Sequence, residues 1–232
     1  MKKMLLVAAA STAILASTAF AAEDQFYVKV EAGATMLDKV KDKPTSIKMK
    51  AKTVPIFGAG VGYYVMDNLR AELALDFLSN PEFKKSISGV TISGISGTNN
   101  VAVKHKGKVA SLLVNGFFDF YQAGAFNFYV GAGIGAVQIS EKNYYGANNS
   151  VTGQAVGTAV SVKKTYNFAY QVGLGTSADV ADGVKVELGY SWRDYGKTKS
   201  KNVPVSALNK TTDVGKTAYK GHNIIAGVRF DI

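Results

Sequence analysis

The sequence predicts an all-β protein, an eight-stranded antiparallel transmembrane β-barrel with long extracellular loops and short periplasmic turns. Three observations support this fold. First, apolar residues alternate with polar or small residues in eight separate segments, each about 10 residues long, which is the length that a tilted membrane strand needs. Second, short and long connections alternate along the chain. Third, aromatic residues gather at both ends of the segments, as they do at the two interfaces of a bilayer.

The composition of the 232-residue chain favours strands and excludes several kinds of site. Glycine (24 residues), Tyr (12) and Phe (12) are common and proline is rare, at 4, which suits strands better than helices. With 47% hydrophobic residues, the chain is not of the disordered class, which combines low hydrophobicity with high net charge. There is no cysteine, and His105 and His222 lie far apart. We therefore expect no disulfide, no zinc site and no cofactor.

Residues 1–21 are a predicted signal peptide, and residues 22–232 are the predicted barrel domain. Two lysines precede an apolar run, and an A-x-A motif ends the segment, so cleavage is expected between Ala21 and Ala22. An inner-membrane anchor is the alternative. The apolar run is too short for it, because crossing a bilayer as a helix takes about 20 residues.

The predicted strands share a period of two residues. In the first strand, alternate residues from Phe26 to Met36 are apolar. In the second, from Phe57 to Tyr63, the intervening residues are all glycine. In the third, alternate residues from Leu69 to Phe77 are apolar and those between them are mostly charged. The apolar residues of the other five strands occupy alternate positions within residues 110–120, 126–136, 166–174, 184–192 and 224–232.

The composition of the second face of these strands indicates whether the apolar face points outward to lipid or inward to the lumen. It carries charges of both signs, at Arg70, Glu72, Asp76, Lys185, Glu187 and Arg193. Such charges can pair inside a narrow lumen, whereas the soluble alternative, a lipocalin-like eight-stranded barrel, would bury its apolar face. Aromatic groups at both interfaces also favour a membrane barrel. They are Tyr63, Tyr64, Phe118, Phe120, Phe126 and Phe128 at the periplasmic end, and Phe77, Tyr166, Phe168, Tyr190 and Trp192 at the outer end.

The connections give the barrel its orientation. The short ones are residues 65–68, 122–125 and 178–183, and the long ones are approximately residues 37–53, 79–106, 139–164 and 196–216. Outer-membrane barrels have short periplasmic turns and longer extracellular loops. An even number of strands then places both termini on the periplasmic side.

Two glycine-rich runs, Gly58–Gly62 and Gly131–Gly135, have a glycine at every second position. A dinucleotide-binding fingerprint instead has the spacing G-x-G-x-x-G between a strand and a helix. Since these glycines share one face of a strand, we expect them to make room for bulky side chains in the lumen, which is narrow in a barrel of eight strands.

The basic charge is concentrated in the long connections. They hold 18 lysines and five acidic residues, so they carry a net charge of +13, against +10 for the whole chain. One interpretation is a solvated fringe that also touches anionic lipid headgroups. The other is a surface for acidic partners, such as acidic host proteins or sulfated glycans, since clustered charge speeds such encounters. The predicted contact residues are Lys39, Lys41, Lys43, Lys48, Lys50, Lys52, Lys84, Lys85, Lys197, Lys199 and Lys201.

Several segments resemble the small rickettsial outer-membrane adhesins, within the eight-stranded group around outer-membrane protein A and the opacity proteins. They are "FYVKVEAGATMLDKVKDK" from Phe26, "VPIFGAGVGYYVMDNLRAELAL" from Val54 and "GHNIIAGVRFDI" at the end. The resemblance implies an outer-membrane adhesin that binds host cell-surface or serum proteins through its loops. The last segment is also similar to the signal read by the barrel-assembly machinery, which implies that role for Gly227, Phe230 and Ile232.

Other functions stay open at this point. The barrel could simply stabilise the envelope, or it could form a small pore, although eight strands leave a lumen that side chains fill. A lipid-modifying enzyme needs a serine or carboxylate beside a histidine, and neither His105 nor His222 has one close in sequence. We therefore expect a non-enzymatic protein whose partners are outer-membrane lipid, the assembly machinery and host proteins, and no nucleic acid.

Overall fold

The computed structural model describes residues 25–38, 40–41, 48–49, 53–79, 81–90, 99–149, 155–161, 164–198, 201–205, 210–214 and 218–232. The predicted signal peptide and its cleavage site, between Ala21 and Ala22, lie outside the described residues. In the part of the chain that is described, no helix has both the length and the apolar character needed to cross a membrane.

Fourteen strands are described, and some are only short additions to longer ones. They are β1 (Phe26–Leu37), β2 (Val40–Lys41), β3 (Lys48–Met49), β4 (Val54–Met66), β5 (Leu69–Leu78), β6 (Glu82–Val90), β7 (Asn99–Ala123), β8 (Phe126–Asn149), β9 (Ala155–Ser161), β10 (Thr165–Ala181), β11 (Val184–Lys197), β12 (Lys201–Val205), β13 (Lys210–Val214) and β14 (Ala218–Asp231).

Eight of these strands close into an antiparallel barrel, which confirms the predicted fold. The order around the wall is β1, β4, β5, β7, β8, β10, β11 and β14. The barrel closes where β14 pairs with β1, from Tyr27 opposite Asp231 to Leu37 opposite Gly221. Closure pairs the backbone of every wall strand on both sides, as a strand in lipid requires.

Three tight turns mark one end of the barrel, which we call the turn end. They connect β4 to β5, β7 to β8 and β10 to β11, and each has only two residues outside the strands. Two of them use a glycine with positive φ, Gly124 (59°) and Gly183 (67°), a conformation that costs glycine little. Both described termini lie here, since the Ile232 amide donates to the Phe26 carbonyl oxygen at 2.8 Å. The opposite end is the loop end.

The strands extend further into the predicted long connections than the sequence indicated. β7 has 25 residues and β8 has 24, and both continue beyond the barrel at the loop end. There β6 pairs with β7 and β9 pairs with β8, so these four strands form a protruding sheet. The other additions are the small hairpins β2–β3 and β12–β13. The apolar alternation that revealed the barrel strands stops at the membrane boundary, which is why this sheet was not predicted.

The two faces of the wall have the predicted orientation. The face with apolar residues points outward, as at Val30, which is 56% exposed, and the other face points into the lumen, as at Lys29, which is 6% exposed. Tyr64 is a correction. It was expected among the interfacial aromatic residues, but its hydroxyl donates to Asp231 Oδ1 at 2.7 Å and its ring lies 5.2 Å from that of Tyr27. Tyr64 therefore faces the lumen at the turn end.

The strand glycines face the lumen and admit large side chains from neighbouring strands, as expected. A Cβ atom at Gly62 would collide with the Tyr27 ring, and one at Gly131 would collide with the Phe117 ring. The alternating glycines are therefore a packing feature of the narrow lumen.

The outward orientation of the apolar face can be tested by placing a charge on it. We expect Leu73→Arg and Val130→Arg each to destabilise the inserted barrel by roughly 2–4 kcal/mol, because arginine near the bilayer midplane is costly on a lipid-facing strand. The measurement is heat-modifiable migration on gels after refolding in detergent or lipid.

The control for this experiment is Gln122→Arg, since Gln122 is exposed beside a turn and should accept the charge. Normal folding of both lipid-face variants would show that the assigned orientation of the strands is wrong.

Candidate functional site

The barrel lumen contains a network of buried charges of both signs. Four cations, Lys29, Arg70, Arg193 and Arg229, face four carboxylates, Glu31, Glu72, Asp76 and Glu187. A buried charge without a partner is very costly, so this pairing is what allows the lumen to be polar. The charged residues recognised in the sequence are therefore structural partners of one another.

Glu187 is the centre of the network near the turn end. Its carboxylate pairs with Arg229 Nη1 at 2.7 Å, with Arg70 Nη2 at 3.5 Å and with Lys29 Nζ at 3.8 Å. Lys29 also reaches Glu72 at 2.9 Å and Glu31 at 3.0 Å. One carboxylate from β11 thus connects cations from β1, β5 and β14, and it ties opposite parts of the wall together.

A second group of contacts surrounds Arg193 in the middle of the lumen. Its Nη1 pairs with Asp76 Oδ2 at 2.5 Å, and its Nε donates to Gln171 Oε1 at 2.9 Å. Gln171 in turn donates to Asn115 Oδ1 at 2.7 Å. The network therefore crosses from β11 to β5, β10 and β7, so the interior is held by directional contacts as well as by the backbone.

Aromatic rings shield the cations at the turn end. The Arg70 guanidinium lies 4.7 Å from the centre of the Phe117 ring and 4.6 Å from that of Tyr129. Arg229 lies 5.1 Å from the ring of Tyr27. Such cation–π contacts are strongest when water is excluded, and here they fill space that a wider barrel would leave to water.

The loop end of the lumen is closed by an apolar cluster that the sequence analysis did not recognise. We call it the apolar plug; its members are Leu37, Val54, Ile56, Leu78, Val109, Leu113, Val137, Ile139, Ala169, Tyr195 and Tyr219. They occupy lumen-facing positions, and most of them lie nearer the loop end than the charged network; Leu113, opposite Ala74, reaches down between Glu72 and Asp76.

A cavity of about 60 Å³ lies beside Lys29 and Glu72, which is room for only a few water molecules. A wider recess of about 760 Å³ opens at the turn end, beside Asp119 and Arg229. Between this recess and the loop end the described barrel has a filled interior, which argues against the pore alternative.

A small cluster at the outer rim bears on the enzyme alternative. The Tyr190 hydroxyl lies 2.7 Å from His222 Nδ1, and Asp38 Oδ1 lies 3.6 Å from His222 Nε2. A carboxylate thus lies beside this histidine although none is close in sequence. Among the described side chains no serine is hydrogen-bonded to His222, so this cluster lacks a serine nucleophile. His105 lies in β7 opposite Phe83 and Asn143.

The structure places the predicted contact lysines that it describes at the loop end. Lys41 and Lys48 pair across the β2–β3 hairpin, and the others lie in or at the ends of loop-end strands, namely Lys84, Lys85, Lys197 and Lys201. Outside the described residues are Lys39, Lys43, Lys50, Lys52 and Lys199. Acidic residues mark the other end of the barrel, where Asp67 and Asp182 lie in turns and Asp179 lies at the end of β10.

Comparison with known proteins gives the family. Residues 6–231 match the model described as "Outer membrane protein beta-barrel domain". A candidate adhesin of Rickettsia felis is 42% identical over 100% of both chains, and one of Rickettsia massiliae is 41% identical over the same shares. Among solved structures, Neisserial surface protein A has 17% identity and a TM-score of 0.45, covering 89% of this chain and 97% of that one. The outer membrane protein OprG of Pseudomonas aeruginosa has 13% identity and a TM-score of 0.49, covering 90% and 96%.

The charged network predicts that one carboxylate strongly affects stability. We expect Glu187→Gln to lower the free energy of unfolding by about 3–5 kcal/mol, because it removes the carboxylate that pairs with the buried Arg229 guanidinium at 2.7 Å. Arg70 would keep its closer partner, Asp119. The measurement is urea-induced unfolding of the protein inserted in lipid vesicles.

Asp179→Asn provides the matched control. Asp179 pairs with Lys185 at 2.6 Å, but its side chain is 48% exposed, and exposed pairs contribute at most about 1 kcal/mol. Equal effects of the two substitutions would mean that the lumen charges do not support the barrel.

Proposed function

The chain belongs to the outer-membrane β-barrel family and is an adhesin-like protein of the outer membrane with its loop end at the cell surface, and on this premise we propose that it binds host cell-surface or serum proteins through its lysine-rich loops. The observation that carries the proposal is the separation of charge along the barrel. The long connections hold 18 lysines against five acidic residues, whereas aspartates mark the turn end. The lysines of these connections that the structure describes lie at the loop end, where a partner outside the cell would meet them.

Lysine suits a broad electrostatic contact. Every cation in the long connections is lysine, and the lysine ammonium is a mobile point charge, whereas the arginine guanidinium is a planar fork suited to one fixed geometry. A dense set of such charges attracts acidic protein patches or sulfated glycans over a distance of about 8 Å at physiological salt. The proposed partners are therefore acidic surfaces in general, with specificity supplied by the loops.

The barrel would serve this function as a rigid and non-enzymatic support. Its lumen is filled by the charged network and the apolar plug. Within the described residues no open channel passes through the barrel that could support transport. Full-length relatives named as candidate adhesins support the same role. The filled interior accounts for how a small barrel could hold large loops in place.

Export and assembly are part of the proposal. The signal peptide, residues 1–21, would be removed between Ala21 and Ala22. The barrel-assembly machinery would read Gly227 and Phe230 on β14 and Ile232 directly after it. Phe230 and Ile232 are 41% and 55% exposed on the lipid side. Gly227 pairs with Glu31 of β1 and with Glu187 of β11, next to the seam at which the barrel closes. These placements are compatible with a signal read before closure.

Replacing the six lysines of the first long connection tests the adhesive role. We expect Lys→Gln at Lys39, Lys41, Lys43, Lys48, Lys50 and Lys52 to reduce attachment to host cells, because the charge that attracts acidic partners is removed. Attachment of the unaltered protein should also fall as salt increases through physiological strength. The measurement is host-cell binding by bacteria that display each variant at matched surface levels.

The control is Lys→Arg at the same six positions, which keeps the charge and should keep most of the attachment. If the glutamine variant attaches as well as the unaltered protein at both low and high salt, these lysines are only a solvated fringe. A deletion strain that attaches normally but has a leaky envelope would favour the structural alternative.

A further inference from the structure

Two buried carboxyl groups lie side by side in the lumen. Glu31 of β1 is paired with Gly58 of β4, and Gly58 is paired with Asp76 of β5. The three residues therefore form one row across neighbouring strands, in which only a glycine separates the two acidic residues. The Asp76 side chain is fully buried and that of Glu31 is 10% exposed. Two negative charges in this position would repel each other strongly, because little water is present to screen them.

The two carboxyl groups approach each other above the glycine. A Cβ atom at Gly58 would collide with Asp76 Oδ1 and would lie 3.0 Å from Glu31 Oε1. Glu31 also lies within hydrogen-bonding reach of Asp76. Because paired strands are about 4.8 Å apart, residues two strands apart meet only if both side chains lean over the strand between them. The lack of a side chain at Gly58 is what permits this contact.

One oxygen atom of the pair has no hydrogen-bond donor. Among the described atoms, Asp76 Oδ1 is buried without a partner. Each nitrogen of Arg193, the cation that pairs with Asp76, already donates to another acceptor: Nε and Nη2 to Gln171, and Nη1 to Asp76 Oδ2 and Ser111 Oγ. A buried acceptor without a donor is costly. Two ionised carboxylates cannot satisfy each other, since both only accept hydrogen bonds.

The ion pairs of the network leave one negative charge unmatched. Among the described side chains, Lys29 is the only cation paired with Glu31, at 3.0 Å, and it also pairs with Glu72 at 2.9 Å. Asp119 adds a fifth carboxylate to the four described above, through its contact with Arg70. The network therefore joins five carboxylates to four cations, so one further positive charge would balance it.

We propose that Glu31 and Asp76 share one proton, for which the lumen is a binding site. A protonated Glu31 donates its hydroxyl hydrogen to Asp76 Oδ1, which gives the buried oxygen a donor and removes the repulsion between the two groups. Glu31 carries the proton, because Asp76 has to keep the negative charge that pairs with Arg193. Both acidic residues line the cavity of about 60 Å³, so water there can deliver and remove the proton.

Other titratable groups face the pair from the strands around it. They are Lys29 of β1, Glu72 of β5, Tyr129 of β8, and Glu187, Arg193 and Tyr195 of β11. The residues that β7, β10 and β14 contribute to the cavity beside the pair are neutral. Lysine, arginine and tyrosine side chains do not ordinarily titrate near neutral pH, and both glutamates have cations in direct contact. The pair formed by Glu31 and Asp76 is therefore the unit that exchanges a proton.

A proton held in the lumen links the stability of the barrel to pH. In the unfolded chain both carboxyl groups are ionised at pH 6 and above, so unfolding releases the proton. Stability therefore falls as pH rises, because the folded state binds one proton more than the unfolded state. The lumen is thus a pH-sensitive element that favours the folded barrel on the acidic side of neutrality. This property goes beyond the proposed adhesion and does not depend on it.

Glu31→Gln tests the proposal, because glutamine has the shape of a protonated glutamic acid and its amide can donate to Asp76 Oδ1. The measurement is urea-induced unfolding of the protein in lipid vesicles at pH 6 and at pH 7. We expect the unfolding equilibrium constant of the unaltered protein to rise, relative to that of E31Q, by about tenfold across this pH unit. At pH 7, E31Q should be at least as stable as the unaltered protein.

Asp179→Asn is the matched control, since it also removes one carboxylate but at the exposed turn end, where Asp179 pairs with Lys185. D179N should keep the pH dependence of the unaltered protein. Infrared spectroscopy gives a second measurement that does not depend on unfolding. At pH 7 the carbonyl stretch of a neutral carboxylic acid should be present in the unaltered protein and in D179N, and absent in E31Q.

Three outcomes would overturn the proposal. The unaltered protein could lack the infrared band of a neutral carboxylic acid at pH 7, or E31Q could show the same pH dependence as the unaltered protein. E31Q could also fail to form a heat-modifiable barrel under conditions in which D179N forms one. That failure would show that Lys29 needs Glu31 as an anion, and it would make Glu31 an ordinary member of the ion-pair network.

Discussion

Backbone hydrogen bonding within the bilayer is the constraint from which the rest of this structure follows. A strand in lipid has no water to satisfy its peptide groups, so the wall must close, and β14 pairs with β1 to complete it. Closing only eight strands leaves a narrow interior. This limit explains why glycines lie opposite Tyr27 and Phe117, and why the interior charges have to be matched so closely.

The interior changes character along the barrel axis, and each part solves a different problem. Charges near the turn end and centre pair around Glu187 and Arg193, which lets the lumen be polar without a partnerless buried ion. Apolar side chains such as Val109 and Ile139 fill the loop end. Their lumen positions would be polar in a water-filled channel. The barrel therefore separates the two sides of the membrane with packed side chains as well as with its wall.

The sequence predicted those parts of the fold for which water and lipid impose opposite demands on the two faces of a strand. The eight wall strands, the lumen charges and the short turns were confirmed because period-two alternation records that difference directly.

The protruding sheet was not predicted, since both of its faces lie beyond the apolar band and the alternation between Lys104 and Lys108 is one of charge rather than of hydrophobicity. The apolar plug was missed for another reason: the alternation reverses there, since Val137 and Ile139 make the lumen face apolar while Gln138 and Ser140 make the outward face polar. Tyr64 was assigned to an interface from its position at the strand end alone, although the alternation from Phe57 to Tyr63 puts it on the lumen face.

The apolar plug also has an evolutionary consequence. Because it ends the interior packing before the chain reaches the cell surface, a substitution, insertion or deletion in a loop does not disturb the contacts around Glu187 and Arg193. Stability is set mainly by the barrel part of the chain, so the barrel and the loops can be selected independently. Loop sequences can diverge between relatives while the same barrel is inherited.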